Sequence, residues 1–331
     1  MPESPLPRTA TVIEVQDLVK TFPLHHGMFG GGGAVVHALS GVSFSVHAGE
    51  TLGVVGESGC GKTTLGKTLM RLHPADGGRI LLHGRDITQA GESDLRALRR
   101  NIQMVFQDPF SSFNPRMSCG RIVAEPLEIH GIAAGDEKWD RVAAMFGQVG
   151  LRPEQMTRYP HQLSGGQRQR LGIARAFALQ PQIIVADEPV SALDVSVQAQ
   201  VLNLMADLQR ATGVAFLFIS HDLAVVEHIA HRVAVMYLGR IVEIAEKRSL
   251  FAAPRHPYTE ALLAAVPVPR PGAKRERIIL RGDVPSPVNP PPGCAFHTRC
   301  PIARDVCRER TPPLVSVGPD HAAACHVRAP G

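Results

Sequence analysis

Short apolar runs and helical patterns alternate along most of this chain. The runs "TLGVVG" (51–56), "IQMVF" (102–106), "IIVAD" (183–187), "VAFLFIS" (214–220) and "RVAVMYLG" (232–239) are rich in Val and Ile and carry few polar interruptions. Strands buried on both faces of a sheet read this way. Between them the spacing predicts helices at about 62–72, 166–179, 195–211 and 222–230. The alternation predicts an α/β fold with a mainly parallel core sheet. Residues 11–50 differ: short strands flank the Gly-rich tip "HHGMFGGGGAV", which predicts an antiparallel β layer. Over 111–165 the strand rhythm stops. There "EKWDRVAAMFGQVGL" sets Val142, Phe146 and Val149 at i, i+4 and i+7, an amphipathic helix within an inserted helical subdomain. Beyond about 250, stretches such as "DVPSPVNPPPGC" argue against regular sheet or helix.

Composition changes this picture little. The 331 residues, 44% hydrophobic and 20% charged, suffice for two domains or for one with an appendage. An excess of 35 Lys and Arg over 30 Asp and Glu is too thin to argue for a nucleic-acid partner. The one basic run, "RPGAKRERIILR" (270–281), reads as a solvated surface, with an anionic lipid face or acidic partner as the alternative. No apolar run is long enough to span a bilayer. The start "MPESPLPRTA" lacks the basic and apolar regions of a secretory signal, so a cytosolic chain is expected. Disulfides are then disfavoured. Yet four of the six cysteines, Cys294, Cys300, Cys307 and Cys325, crowd the C-terminal stretch, apart from Cys60 and Cys119.

Chemistry enters at "GESGCGKTT" (56–64), a G-x-x-x-x-G-K-[ST] pattern between a predicted strand and a predicted helix. The backbone N–H groups of Gly56, Ser58, Gly59, Cys60, Gly61 and Thr64 can approach phosphate oxygens, and the helix start adds its positive dipole end. Lys62 would reach the β- and γ-phosphates, and Thr63 would coordinate Mg²⁺. The dipole and Lys62 also predict a lowered thiol pKa at Cys60. An acidic pair closing a buried strand is costly without a function. Asp187 is therefore expected in the metal shell and Glu188 as the base for an attacking water.

A second phosphate cradle, "LSGGQRQR" (163–170), lies about a hundred residues on. Two helix starts would compete for one ligand, so the simpler geometry has the second serve a nucleotide on another chain, with two chains head to tail.

In order, "GESGCGKT", "VFQD", "LSGGQRQR", "IIVADEP", "SALD" and "ISHD" resemble the ATP-binding-cassette ATPases over about residues 11–245. The resemblance implies that Ser164, Gly165, Gly166 and Gln167 contact the opposing nucleotide and that Gln107 senses Mg²⁺ and the γ-phosphate. It also implies that His221 touches the γ-phosphate and that Ser191 and Asp194 cross the dimer interface. Phe22 is the candidate for stacking on adenine, with Phe29 as the alternative. "FQDPFSSFNPR", "RHPYTEALLAAVP" and the Pro/Cys-rich tail are similar to the ATPase subunits of oligopeptide/dipeptide permeases, of the second-ATPase type.

That resemblance implies an ATP-hydrolysing subunit peripheral to the cytoplasmic face of the inner membrane. Its expected partners are a homologous ATPase, two transmembrane permease subunits and, indirectly, an extracytoplasmic binding protein. The division implied is a flexible tail (1–10), an ATP-binding core (11–110 and 167–250), a helical subdomain (111–166) and a C-terminal extension (251–331). The wide spacing of Cys294, Cys300, Cys307 and Cys325 suits a [4Fe–4S] cluster better than zinc, whose sites favour closer pairs. Zinc and unliganded thiols stay open, with His297, His321 and His326 as alternate ligands.

Overall fold

The computed structural model of the protein describes residues 10–24, 34–265, 280 and 282–330. Most of the expected N-terminal tail, the Gly-rich tip with Phe29 and most of the basic run 270–281 lie outside them. The strands, in chain order, are β1 (Thr11–Pro23), β2 (Val35–His47), β3 (Thr51–Val55), β4 (Gly77–Leu82), β5 (Arg85–Asp86), β6 (Ile102–Val105), β7 (Ile183–Asp187), β8 (Ala215–Ile219), β9 (Arg232–Tyr237), β10 (Arg240–Glu246), β11 (Val315–Gly318) and β12 (His321–Ala323). They fall into two compact units. One holds the described residues up to Glu14 with Ser45–Thr51 and Leu81–Ile219; the other holds the described residues of Val15–Phe44, Leu52–Ile80 and Ser220–Gly331.

In the first unit β8, β7 and β6 lie side by side and parallel, with Ile183 opposite both Ala215 and Ile102. Every residue of β7 and β8 is buried, which is why their sequences run apolar without alternation. Parallel neighbours need long crossovers. Helix Val195–Thr212 connects β7 to β8, and helices Cys119–Ile129, Gly135–Gln148 and Gly165–Phe177 lie between β6 and β7. Val142, Phe146 and Val149 are fully buried, as the helical period predicts. Because the three strands run the same way, the loops after Val105, Asp187 and Ile219 leave from one edge.

In the second unit β3 runs parallel to β9, with Leu52 opposite Arg232 and Val55 opposite Val235. Antiparallel pairs then lead from β9 to β10, from β10 to β12 and from β12 to β11. The tail is thus more regular than its prolines predict, since it adds two strands to β10 and also carries helices Pro257–Ala265 and Asp305–Glu309. The physical reason is local: "VSVG" and "HAA" are free of proline, "HAA" takes its backbone partners from β10, and "VSVG" takes its own from "HAA".

One carboxylate ties this extension down. Glu243 on β10 is fully buried and accepts the N–H of Arg255 at 2.7 Å, the N–H of His256 at 2.8 Å and Nε2 of His321 at 2.7 Å. A buried carboxylate is tolerable when its lone pairs are occupied in this way. Burial, helped by the charge of Arg328, pushes the His256 pKa down to about 3, so its neutral Nδ1 can accept the N–H of Tyr258 at 3.1 Å. Replacing Glu243 by Ala strands the buried His256 N–H and His321 ring nitrogen, and frees the Arg255 N–H, and should cost about 3–5 kcal/mol. The expected readout is faster amide exchange over residues 315–323 with little change in β7 and β8. Unchanged protection would remove Glu243 from this role.

Candidate functional site

The second unit carries the first phosphate cradle. The chain leaves β3 at Val55, turns through residues 56–61 and enters helix Lys62–Leu69. Gly61 has φ 105°, and a Cβ there would meet the Ala38 carbonyl oxygen at 2.3 Å, so the turn requires glycine. Ser58, Gly59 and Thr63 are exposed, whereas Lys62 is buried. Its Nζ donates to the carbonyl oxygens of Gly56 at 2.7 Å and Glu57 at 3.0 Å. Phosphate oxygens would be stronger acceptors for this ammonium, and the helix start carries no acidic residue to oppose them. These residues fit a bound ATP with its Mg²⁺.

Cys60 reverses its expectation. It is 4% exposed, and burial pushes its thiol pKa up although Lys62 pulls it down. Desolvation of the thiolate outweighs the dipole and the ammonium. His221 is exposed on the segment after β8, where the Ser220 N–H donates to the Val54 carbonyl at 3.1 Å. Phe22 packs edge-on against His73, with ring centroids 5.2 Å apart.

The first unit carries the acidic strand end. Asp187 is buried at the close of β7, and Glu188 follows with a left-handed φ of 46°. Gln107 Nε2 donates to Glu188 Oε2 at 2.9 Å, and Ser191 Oγ donates to the Glu188 carbonyl at 3.1 Å. Three of the residues singled out in the sequence therefore meet at one edge.

The second cradle is in the same unit. Ser164 N–H donates to Gln167 Oε1 at 3.0 Å, while Gln167 N–H donates to Ser164 Oγ at 3.3 Å, a reciprocal cap on helix Gly165–Phe177. Gly166 lies against helix Val195–Thr212 so closely that a Cβ would meet Val197 Cγ1 at 2.5 Å. Asp194 caps that second helix, its carboxylate accepting the N–H of Val197 at 2.9 Å. That bond and one from Ser196 hold the Asp194 pKa below the usual carboxylate range. Both caps have sequence signals, S-x-x-Q and an Asp ahead of an apolar run, which a reading confined to nucleotide contacts passes over.

In the tail, Cys294 and Cys300 are half-buried and Cys307 and Cys325 buried. Burial pushes the Cys294 thiol up to about 11, with the other three thiols adding to the rise, so the four share one neighbourhood. Burial also raises Cys300. Among the described residues, however, no group of three or more His, Cys, Asp or Glu side chains is arranged to hold a metal ion. The geometry as it stands does not fit the expected cluster. Cys325 instead packs with Ala323 and Ala329 in a small apolar core.

Residues 39–191 match the family described as ABC transporter, and residues 242–307 match the family described as Oligopeptide/dipeptide transporter, C-terminal region. The chain is 58% identical to the "Probable peptide ABC transporter ATP-binding protein y4tS" of Sinorhizobium fredii, covering 96% of this chain and 90% of that one. It is 53% identical to the "Oligopeptide transport ATP-binding protein AppF" of Bacillus subtilis, over 96% of this chain and 97% of the relative. Among solved structures, the dimeric post-hydrolysis state of the ATP-binding cassette MJ0796 bound to ADP and Pi is similar with a TM-score of 0.64 and 26% identity, covering 71% of this chain and 99% of that one. With a matching cradle, acidic strand end and second cradle, the chain belongs to the ATP-binding-cassette transporter ATPases, in the branch that carries the oligopeptide/dipeptide C-terminal region.

Proposed function

We propose that this chain is the ATP-hydrolysing subunit of an importer for dipeptides or oligopeptides, peripheral to the cytoplasmic face of the membrane. The observation that carries the catalytic part is the 2.9 Å bond from Gln107 to Glu188, which joins the second residue after β6 to the first residue after β7. The peptide part is supported by the printed names of the relatives. Among the described residues no helix is long and apolar enough to cross a membrane, so transport would run through partners: two membrane-spanning permease subunits and, outside, a binding protein.

In this reading Lys62 leaves the carbonyls of Gly56 and Glu57 for the β- and γ-phosphates. The N–H groups of residues 56–64 bind the remaining oxygens, and Phe22 stacks on adenine. Thr63, Gln107 and Asp187 would hold Mg²⁺, which neutralises charge on the phosphates. Glu188 accepts a proton from water as the water oxygen bonds the γ-phosphorus and the bond to the ADP oxygen breaks. His221 contacts the γ-phosphate. The positive φ of Glu188 is the kind of local strain that persists at working sites. Ser164, Gly165, Gly166 and Gln167 would serve the nucleotide of a homologous ATPase subunit, with Ser191 and Asp194 crossing between the two chains.

For the tail, the finer reading is a [4Fe–4S] cluster on Cys294, Cys300, Cys307 and Cys325, with zinc as the alternative. What supports it is the crowding of four cysteines into the extension, with the N–H of Cys294 donating to the Cys307 carbonyl at 2.8 Å. Binding would require the loops that carry them to close up.

Three measurements test these assignments. Glu188→Gln should keep ATP binding and lower turnover by about 10²–10⁴-fold, the loss expected of a general base. Wild-type hydrolysis by the purified variant would remove Glu188 from that role. Ser164→Arg should abolish turnover of the assembled transporter while this chain still binds ATP; the lost cap costs about 1 kcal/mol, too little to unfold the helix. Loss of ATP binding by the isolated variant would overturn the trans geometry. Anaerobically purified protein should contain about four irons and four sulfides per chain. One equivalent of zinc would favour the alternative, and a metal-free tail would end both.

A further inference from the structure

Glu57 is the one acidic residue in the turn 56–61, and each of its polar groups is held. Its N–H donates to the Tyr258 hydroxyl at 2.8 Å. Its carbonyl accepts Lys62 Nζ at 3.0 Å and the Cys60 N–H at 3.3 Å. Its carboxylate receives both terminal nitrogens of Arg299, at 2.7 and 3.1 Å. The Arg299 side chain is 8% exposed, and its Nε is buried with no hydrogen-bond partner among the described residues. The guanidinium therefore depends on the Glu57 carboxylate for compensation. Tyr258 is buried against Tyr237 and Phe296, with ring centroids 4.8 and 5.4 Å away, and the Arg299 guanidinium lies 6.0 Å from the Tyr237 ring. Tyr258 and Arg299 both lie in the segment that matches the C-terminal region of oligopeptide/dipeptide transporters.

When Lys62 turns to phosphate it must release the carbonyls of Gly56 and Glu57. Of the contacts on Glu57 that do not depend on Lys62, the Cys60 N–H lies within the turn itself, whereas the Tyr258 hydroxyl and the Arg299 guanidinium come from the C-terminal extension. A free Glu57 carboxylate would also set a negative charge in the same turn as the phosphate-binding N–H groups, where opposing charge is weakly screened.

We propose that Arg299 and Tyr258 are positioning residues for nucleotide binding, by which the C-terminal extension holds the phosphate-binding turn in shape and neutralises Glu57. This rests on the reading of residues 56–64 as the ATP cradle. The effect should fall on affinity, because both side chains hold the turn that binds phosphate and not the residue that accepts the proton from water.

The test uses the full chain, with binding of a fluorescent ribose-labelled ATP and steady-state hydrolysis. Arg299→Ala should weaken ATP binding and raise KM by about tenfold while kcat stays within about twofold, as for loss of a charge-compensating pair. Arg299→Lys should fall between the two, since a point charge replaces a bidentate fork. The decisive variant is the double one, Arg299→Ala with Glu57→Gln. Removing the stranded carboxylate should restore most of the affinity, which a merely damaged fold would not do. Tyr258→Phe keeps the packed ring and deletes the hydroxyl; it should weaken ATP binding by about threefold. Wild-type affinity in Arg299→Ala, or no recovery in a folded double variant, would overturn the proposal. Should Arg299→Ala fail to fold, wild-type affinity in both Arg299→Lys and Tyr258→Phe would overturn it equally. A wild-type chain that binds no ATP would instead defeat the cradle reading, and this proposal with it.

Discussion

A strand buried on both faces has no solvent to turn to, so its backbone must be satisfied by neighbouring strands and its side chains by packing on both sides. In parallel pairs that requirement also fixes where the connections go, because each crossover must return to the same end of the sheet. The loops after β6, β7 and β8 leave from one edge for this reason, and Gln107 meets Glu188 there across 81 residues of sequence. The same rule operates between β3 and β9, where the turn proposed to bind phosphate follows a strand with a parallel partner. The chemistry therefore depends on a packing constraint set by the Val, Ile, Leu and Phe side chains of β6, β7 and β8, none of which touches a ligand in the proposed mechanism.

The second recurring device is the economical use of helix starts. Ser164, Asp194 and Asp222 each accept a backbone N–H near the start of their helix. Where such a residue caps a helix, its side-chain oxygen is already occupied, and its orientation is set before any partner arrives. The reciprocal bonds between Ser164 and Gln167 give the second cradle a defined shape in a chain that is alone. Close contact of Gly166 with Val197 fixes that helix start against the helix that follows Asp194. In the proposed arrangement, a cradle that serves another chain's nucleotide gains from being rigid without it.

What the sequence made legible was whatever repeats with a short period or a fixed spacing. The buried strands, the helix through Val142, Phe146 and Val149, and the cradle at 56–64 are local patterns, and local patterns survive being read one residue at a time. The tail was not legible in this way. Its strands β11 and β12 are short, and β12 pairs with β10 and is tied to it through the bond from His321 to Glu243, while Arg255 and His256 bind the same carboxylate. The pair of Glu57 with Arg299 spans 242 residues, and no spacing rule reaches that far. The sign of the Cys60 shift was lost for a related reason. Dipole and charge can be read from neighbours in sequence, whereas burial is a property of the whole unit.

The burial of Cys60 also bears on the chemical durability of the nucleotide site. Peroxide attacks the thiolate, and susceptibility follows thiolate character and access. A sulfenic acid or a mixed disulfide at this position would add bulk between the Gly56 backbone and Lys62, both of which Cys60 adjoins. By keeping the sulfur enclosed and protonated, the fold lets a cysteine sit inside a phosphate-binding turn without making the ATPase a casualty of each oxidative episode in the cell.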